Sequence, residues 1–184
     1  DILLPNKSTD MYRWATVACD QYTSDPEYWQ DVENITKDAD STYKLMLPEI
    51  YLDCPDADDR IAEINQNMRN YIHKNLFVNY RRSFILTRRS TPYSPVRTGL
   101  VAALDLEQYD YHSGANALIR ATEGTVPERI PPRMKIRKNA VLEMPHIMIL
   151  IDDPGRTVIE PAAEALLSGN GIQPVYDTEL MKNG

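Results

Sequence analysis

The residues best equipped for chemistry lie between Ile119 and Lys138, in the run Ile-Arg-Ala-Thr-Glu-Gly-Thr-Val-Pro-Glu-Arg-Ile-Pro-Pro-Arg-Met-Lys-Ile-Arg-Lys. Six cations (Arg120, Arg129, Arg133, Lys135, Arg137 and Lys138) share this stretch with Glu123 and Glu128, while three prolines and a glycine argue against a plain helix. Guanidinium groups on a stiff, irregular backbone suit phosphate or carboxylate, which they hold with two parallel hydrogen bonds. Thr122, Gly124 and Thr125 add hydroxyls and backbone N–H groups near a glycine, a further means of satisfying phosphoryl oxygens. The spacing therefore predicts an anion site at Arg120, Thr122, Thr125, Arg129 and Arg133. Glu123 is the candidate base for a substrate hydroxyl within hydrogen-bond reach. A plainer alternative has the same cations pairing with acids of the chain itself.

Other chemistry-bearing residues are sparser. Asp152 and Asp153 follow an apolar run, and adjacent carboxylates there can hold magnesium beside a nucleotide. With Pro154 and Gly155 they also read as a type II turn. Asp105 ends the preceding apolar run and invites the same reading with less support. Asp20 is a candidate polar site residue on a loop leading into a helix. Cys19 beside it reads as a small buried hydrophobe, since no histidine lies nearby in sequence to activate it. His73, His112 and His146 are too scattered for a zinc centre, and His146 reads as a satisfied core histidine opening a strand. Gly169 and Gly171 alone are closely spaced, so no phosphate-cradling glycine loop is present.

The elements that must position these residues alternate in type. Asp25 and Pro26 are a helix start, with Trp29, Val32 and Ile35 on one face, predicting a short helix near 26–36. Tyr43 to Pro48 reads as a short strand. The clearest helix spans about Ala57 to Lys74, with Ile61, Ile64, Met68 and Ile72 as its buried stripe and Tyr71 at the edge. The runs beginning at Ser83 and Gly99 read as adjacent strands joined by a longish loop through Pro92 and Pro95. Residues 107–145 read as mostly irregular, apart from a helical turn at Ala115–Arg120. His146 to Ile151 reads as a buried strand, and a last helix covers roughly Pro161 to Leu167. This order predicts an α/β or α+β single domain over residues 1–184, with a mixed β-sheet flanked by helices.

Bulk properties narrow the function classes. The chain has 184 residues, 42% hydrophobic and 26% charged, which suits a globular domain. Ala140 to Ile151, the longest apolar stretch, falls short of the ~20 residues a membrane span needs. Two cysteines, Cys19 and Cys54, suggest a reduced, cytoplasmic protein. Residues 1–60 carry 14 acids and 5 bases, residues 61–138 carry 6 and 13, and residues 139–184 carry 7 and 2. A basic middle between acidic ends either folds back on those acids or faces an anionic ligand. Nucleic acid is a poor fit as partner: the cationic stretch lacks interleaved aromatics, and the pI is near 5.0.

Three stretches carry a family resemblance: Trp14 through Trp29, Arg120 through Arg133, and Pro145 through Pro154. Together they resemble the bacterial domain-of-unknown-function 1015 family across essentially the whole chain. The resemblance implies an N-terminal portion, because family members continue into a second half with an Asp-Gly-Asn-His type motif. That missing C-terminal half is similar to the ParB/sulfiredoxin-like fold, which includes nucleotide-using enzymes and a free-serine kinase. On this analogy Glu123, Thr125 and Arg129 match the first half's polar motif and complement the absent histidine motif. The leading expectation is part of a cytoplasmic enzyme acting on a phosphate- or nucleotide-bearing small molecule, with phosphoryl transfer to a hydroxyl such as that of serine as its concrete form. A nucleotide with Mg2+ is the cofactor this chemistry would use. The alternative is a non-catalytic module that binds an anionic metabolite or serves assembly.

Overall fold

The computed structural model describes residues 1–112, 114–122, 124, 126–144, 146–169 and 174–175. In chain order its elements are β1 (Ile2–Pro5), α1 (Met11–Trp14), α2 (Pro26–Thr36), α3 (Ala57–His73), β2 (Phe77–Tyr80), β3 (Ile85–Thr91), β4 (Ser94–Val101), β5 (Tyr109–Asp110), β6 (Ile119–Arg120), α4 (Ile130–Arg137) and α5 (Ile159–Ser168). Single 3-10 turns cover Thr42–Leu45, Glu49–Tyr51, Leu106–Gln108 and Pro127–Arg129. The class is α+β, as expected. Its strands, however, pair two by two (β1 with β2, β3 with β4, β5 with β6) rather than in one mixed sheet.

Two compact units emerge from the packing. The larger gathers Leu3–Asn79 and Pro127–Met148, and holds nearly all of the buried residues. Helix α2 starts where the Asp25 carboxylate accepts a hydrogen bond from the Tyr28 N–H at 3.1 Å, with Pro26 in the first turn. One face of α2 then buries Trp29 and Val32, and Thr36 donates its hydroxyl back to the Val32 carbonyl at 2.8 Å. Helix α3 carries Asp58 and Asp59 in its first turn, where the dipole favours them. Its buried stripe is Ile64, Met68 and Tyr71, while Ile72 lies exposed. The Tyr71 hydroxyl fixes this rotation by accepting from the Ser41 N–H at 2.9 Å, so Tyr71 is central and Ile72 marginal.

A Schellman close ends α3. The Leu76 N–H donates to the Tyr71 carbonyl at 3.2 Å and the Asn75 N–H to the Ile72 carbonyl at 3.0 Å, with Asn75 left-handed at φ 54°. The chain thereby reverses into β2. Trp14, Leu45, Leu47, Ile64, Met68 and Tyr71 form the main core, against which Ile136, Ala140, Leu142 and Met144 pack. In the segment Tyr43 to Pro48, expected as a short strand, residues 43–45 instead belong to a 3-10 turn capped by Ser41, and Met46 after it is extended. The turn and the extended residues after it place Leu45 and Leu47 in that core without any strand partner.

The smaller unit gathers Tyr80–Val126 and residues 149 to 169. Strands β3 and β4 are antiparallel, from Ile85 opposite Val101 to Thr91 opposite Ser94. Pro92 and Tyr93 alone form the connection, so the longish loop expected there is a tight hairpin. Tyr109 and Asp110 pair in parallel with Ile119 and Arg120, and the helical turn expected at 115–120 is absent. Helix α5 packs on β4, and its Ala163 is the one buried residue among those described in this unit. The segment 146–151, expected as a buried strand, has no ladder partner among the described residues and is exposed along its length. No helix among the described residues is long and apolar enough to cross a membrane.

Candidate functional site

Helix α4 is the element that matters most for chemistry. Pro131 and Pro132 were read as helix breakers, yet they stand in its first turn, where a missing N–H costs nothing. Downstream, four-residue spacing sets Arg133 and Arg137 on one face, one turn apart. That face borders a cleft of about 490 Å3 within the larger unit. Leu45, Leu47, Met68, Ile136, Leu142 and Met144 contribute its apolar surface.

Polar groups enter the cleft from three sides. The first is the extended segment after α1, which brings Thr16, Cys19 and Asp20. Glu49 stands on the second side, tied to the first because its N–H donates to the Cys19 carbonyl at 2.9 Å. Arg133 and Arg137 come from α4, and Glu143 and His146 from the chain beyond it. Arg133 is paired with Glu49 through one terminal guanidinium nitrogen, and Arg137 with Glu143 at 3.2 Å. Lys135, on the other face, pairs with Asp58. The bond to Glu49 holds the Arg133 guanidinium above its usual range. Burial pushes the Cys19 thiol up, the carboxylates of Asp20 and Glu49 push it further, and Arg133 opposes them.

The hydroxyls of Thr16 and Thr42 lie 2.8 Å apart. Thr42 is committed as a donor, since its oxygen is 2.7 Å from the Trp14 carbonyl, which can only accept. Thr16 must therefore donate to Thr42. This leaves the Thr16 oxygen with open acceptor capacity at the cleft.

Of the residues singled out from sequence for the anion site, Arg133 lines this cleft. Arg129 is exposed at the foot of α4, outside the lining. Arg120 and Thr122 are exposed in the smaller unit, and Glu123 and Thr125 lie outside the described residues. Asp153 is engaged as a turn cap rather than open toward a cation. It accepts from the Thr157 N–H at 2.7 Å, the Thr157 hydroxyl at 2.9 Å and the Val158 N–H at 2.9 Å. Desolvation pushes its carboxyl up, but these donors outweigh it and hold the pKa below the usual range. Asp152 is exposed beside it, and no group of three potential metal ligands occurs among the described residues. The left-handed residue of that turn is Arg156, at φ 53°, not Gly155, so the turn is not the expected type II.

Cys19 and Cys54 are free thiols. His146 is exposed at the cleft rather than a core residue. Sequence reasoning did not assign Glu49, Thr16 or Glu143 to a site. The four-residue spacing of Arg133 and Arg137 was the one signal available for finding this face. A family model described as "Protein of unknown function (DUF1015)" matches residues 3–184. No curated protein and no solved structure matches the chain.

Proposed function

Because the chain belongs to the DUF1015 family, whose description assigns no activity, we propose a function from the cleft itself: it binds a small anionic metabolite bearing phosphate or carboxylate. The observation carrying this reading is that Arg133 and Arg137 come to one 490 Å3 cleft from a single helix face. Each guanidinium has five N–H donors, and its carboxylate partner contacts one nitrogen, so most donors stay open to a ligand oxyanion. Both arginines are about half exposed, so their remaining donors are open to a ligand, and the Arg137–Glu143 pair, exposed on both sides, contributes little that a ligand must overcome. The apolar wall from Leu45, Leu47 and Leu142 suits the body of such a ligand.

Phosphoryl transfer to a ligand hydroxyl, with Glu123 as base, is a separate catalytic reading that rests on residue types in the sequence. Calorimetric titration with ATP, O-phosphoethanolamine and inorganic phosphate tests both. Binding of one of these is expected, with about a tenfold loss on Arg133→Gln and again on Arg137→Gln, in line with charge-assisted bonds. Glu123→Gln is expected to keep binding and, where turnover exists, to abolish it. Undiminished affinity in the doubly substituted protein would overturn the reading, and no binding to any of these probes would overturn its phosphate form.

A further inference from the structure

The charged groups around the cleft do not add up to a simple anion trap. Three carboxylates (Asp20, Glu49 and Glu143) face two guanidiniums, Arg133 and Arg137. Two of those carboxylates pair with the arginines, and Asp20 is the one left without an ion pair, its carboxylate engaged by the Gln21 side-chain amide at 3.3 Å. A doubly charged anion entering alone would meet this excess of negative charge.

We propose that the ligand of this cleft is a zwitterion, an ammonium group close to a carboxylate or phosphate on a compact apolar body. The inference rests on the anion-binding reading above and adds a cationic end to it. Arg133 and Arg137 take the oxyanion. Asp20 and the open lone pairs of the Thr16 oxygen take the ammonium, which has three donors and no acceptor, as that oxygen requires. The backbone bond from Glu49 to Cys19 holds these two charge systems side by side, since it joins the residue before Asp20 to the partner of Arg133. A zwitterion satisfies both without separating either existing pair. A net-neutral zwitterion leaves the excess of one carboxylate unchanged, with its ammonium beside Asp20, whereas a bare anion would deepen that excess.

Two matched pairs of probes test the idea by calorimetry on the whole chain: L-leucine against 4-methylpentanoate, and O-phosphoethanolamine against ethyl phosphate. The ammonium-bearing member of at least one pair is expected to bind at least tenfold more tightly than its anion-only counterpart. The pair showing the preference identifies the oxyanion as carboxylate or phosphate. Asp20→Asn is expected to bring that ratio close to one while the melting temperature stays unchanged, because Asp20 is exposed and outside the core. Equal binding within both pairs, or a ratio indifferent to Asp20→Asn, overturns the zwitterion while leaving the anion cleft standing. Failure of all four probes overturns both.

Discussion

Arg133 was identifiable from sequence because guanidiniums in a cationic run announce themselves by type. Its partner was not. Glu49 lies 84 residues away, and only the folded chain brings the two together. The same holds for Thr16 and Thr42, whose hydroxyls meet directly, in an order set by a Trp14 carbonyl that accepts from Thr42 and that no pattern of residue types marks. Cys19 shows how this neighbourhood acts on one atom. Desolvation and two adjacent carboxylates raise its pKa, so the reactive thiolate is scarce at neutral pH. Alkylation by iodoacetamide, followed by mass spectrometry at each cysteine, is expected to climb with pH without a plateau below pH 9, the ordinary thiol value. Arg133→Gln should slow the reaction at pH 8, since it removes the charge that opposes the rise. A Cys19 rate that levels off near neutrality would contradict this electrostatic picture.

Among the elements, those with local start signals were readable from sequence. Asp25 and Pro26 set the start of α2 at the expected residue, and α3 begins at Ala57 behind its acidic first turn. Replacing Asp25 with Ala should therefore cost about 1 kcal/mol, read as a lower urea midpoint by the fluorescence of Trp29, which is fully buried. A midpoint unchanged by Asp25→Ala would show that the cap contributes nothing. Elements decided by long-range packing were misread. Tyr43 to Pro48 look like a strand in composition, but a 3-10 turn over Thr42–Leu45 and the extended residues after it deliver Leu45 and Leu47 to the core. Proline count obscured α4, because position decides what a proline does: in the first turn Pro131 and Pro132 start the helix that presents Arg133 and Arg137. In 146–151 an apolar run implied burial, and the structure leaves it exposed. Composition alone does not supply the neighbouring edge a strand requires.

At the scale of the molecule, the uneven charge along the chain has a physical outlet. Three cations of the basic middle, Lys74, Arg133 and Lys135, pair with acids from the first sixty residues, Asp40, Glu49 and Asp58, and two of these cations come from α4. Internal compensation and ligand binding therefore draw on the same helix, its faces divided between them. Lys135 serves the first purpose, while Arg133 and Arg137 retain donors for the second. The central claim is that this cleft of the larger unit is where the ligand sits. Backbone amide shifts of isotope-labelled protein, followed by NMR while the tightest-binding probe is added, test it most directly. The account predicts saturable shifts gathered at residues 16–20, 45–49, 133–137 and 142–147. Shifts confined to residues 85–101 and 150–158, or scattered without saturation, would contradict it.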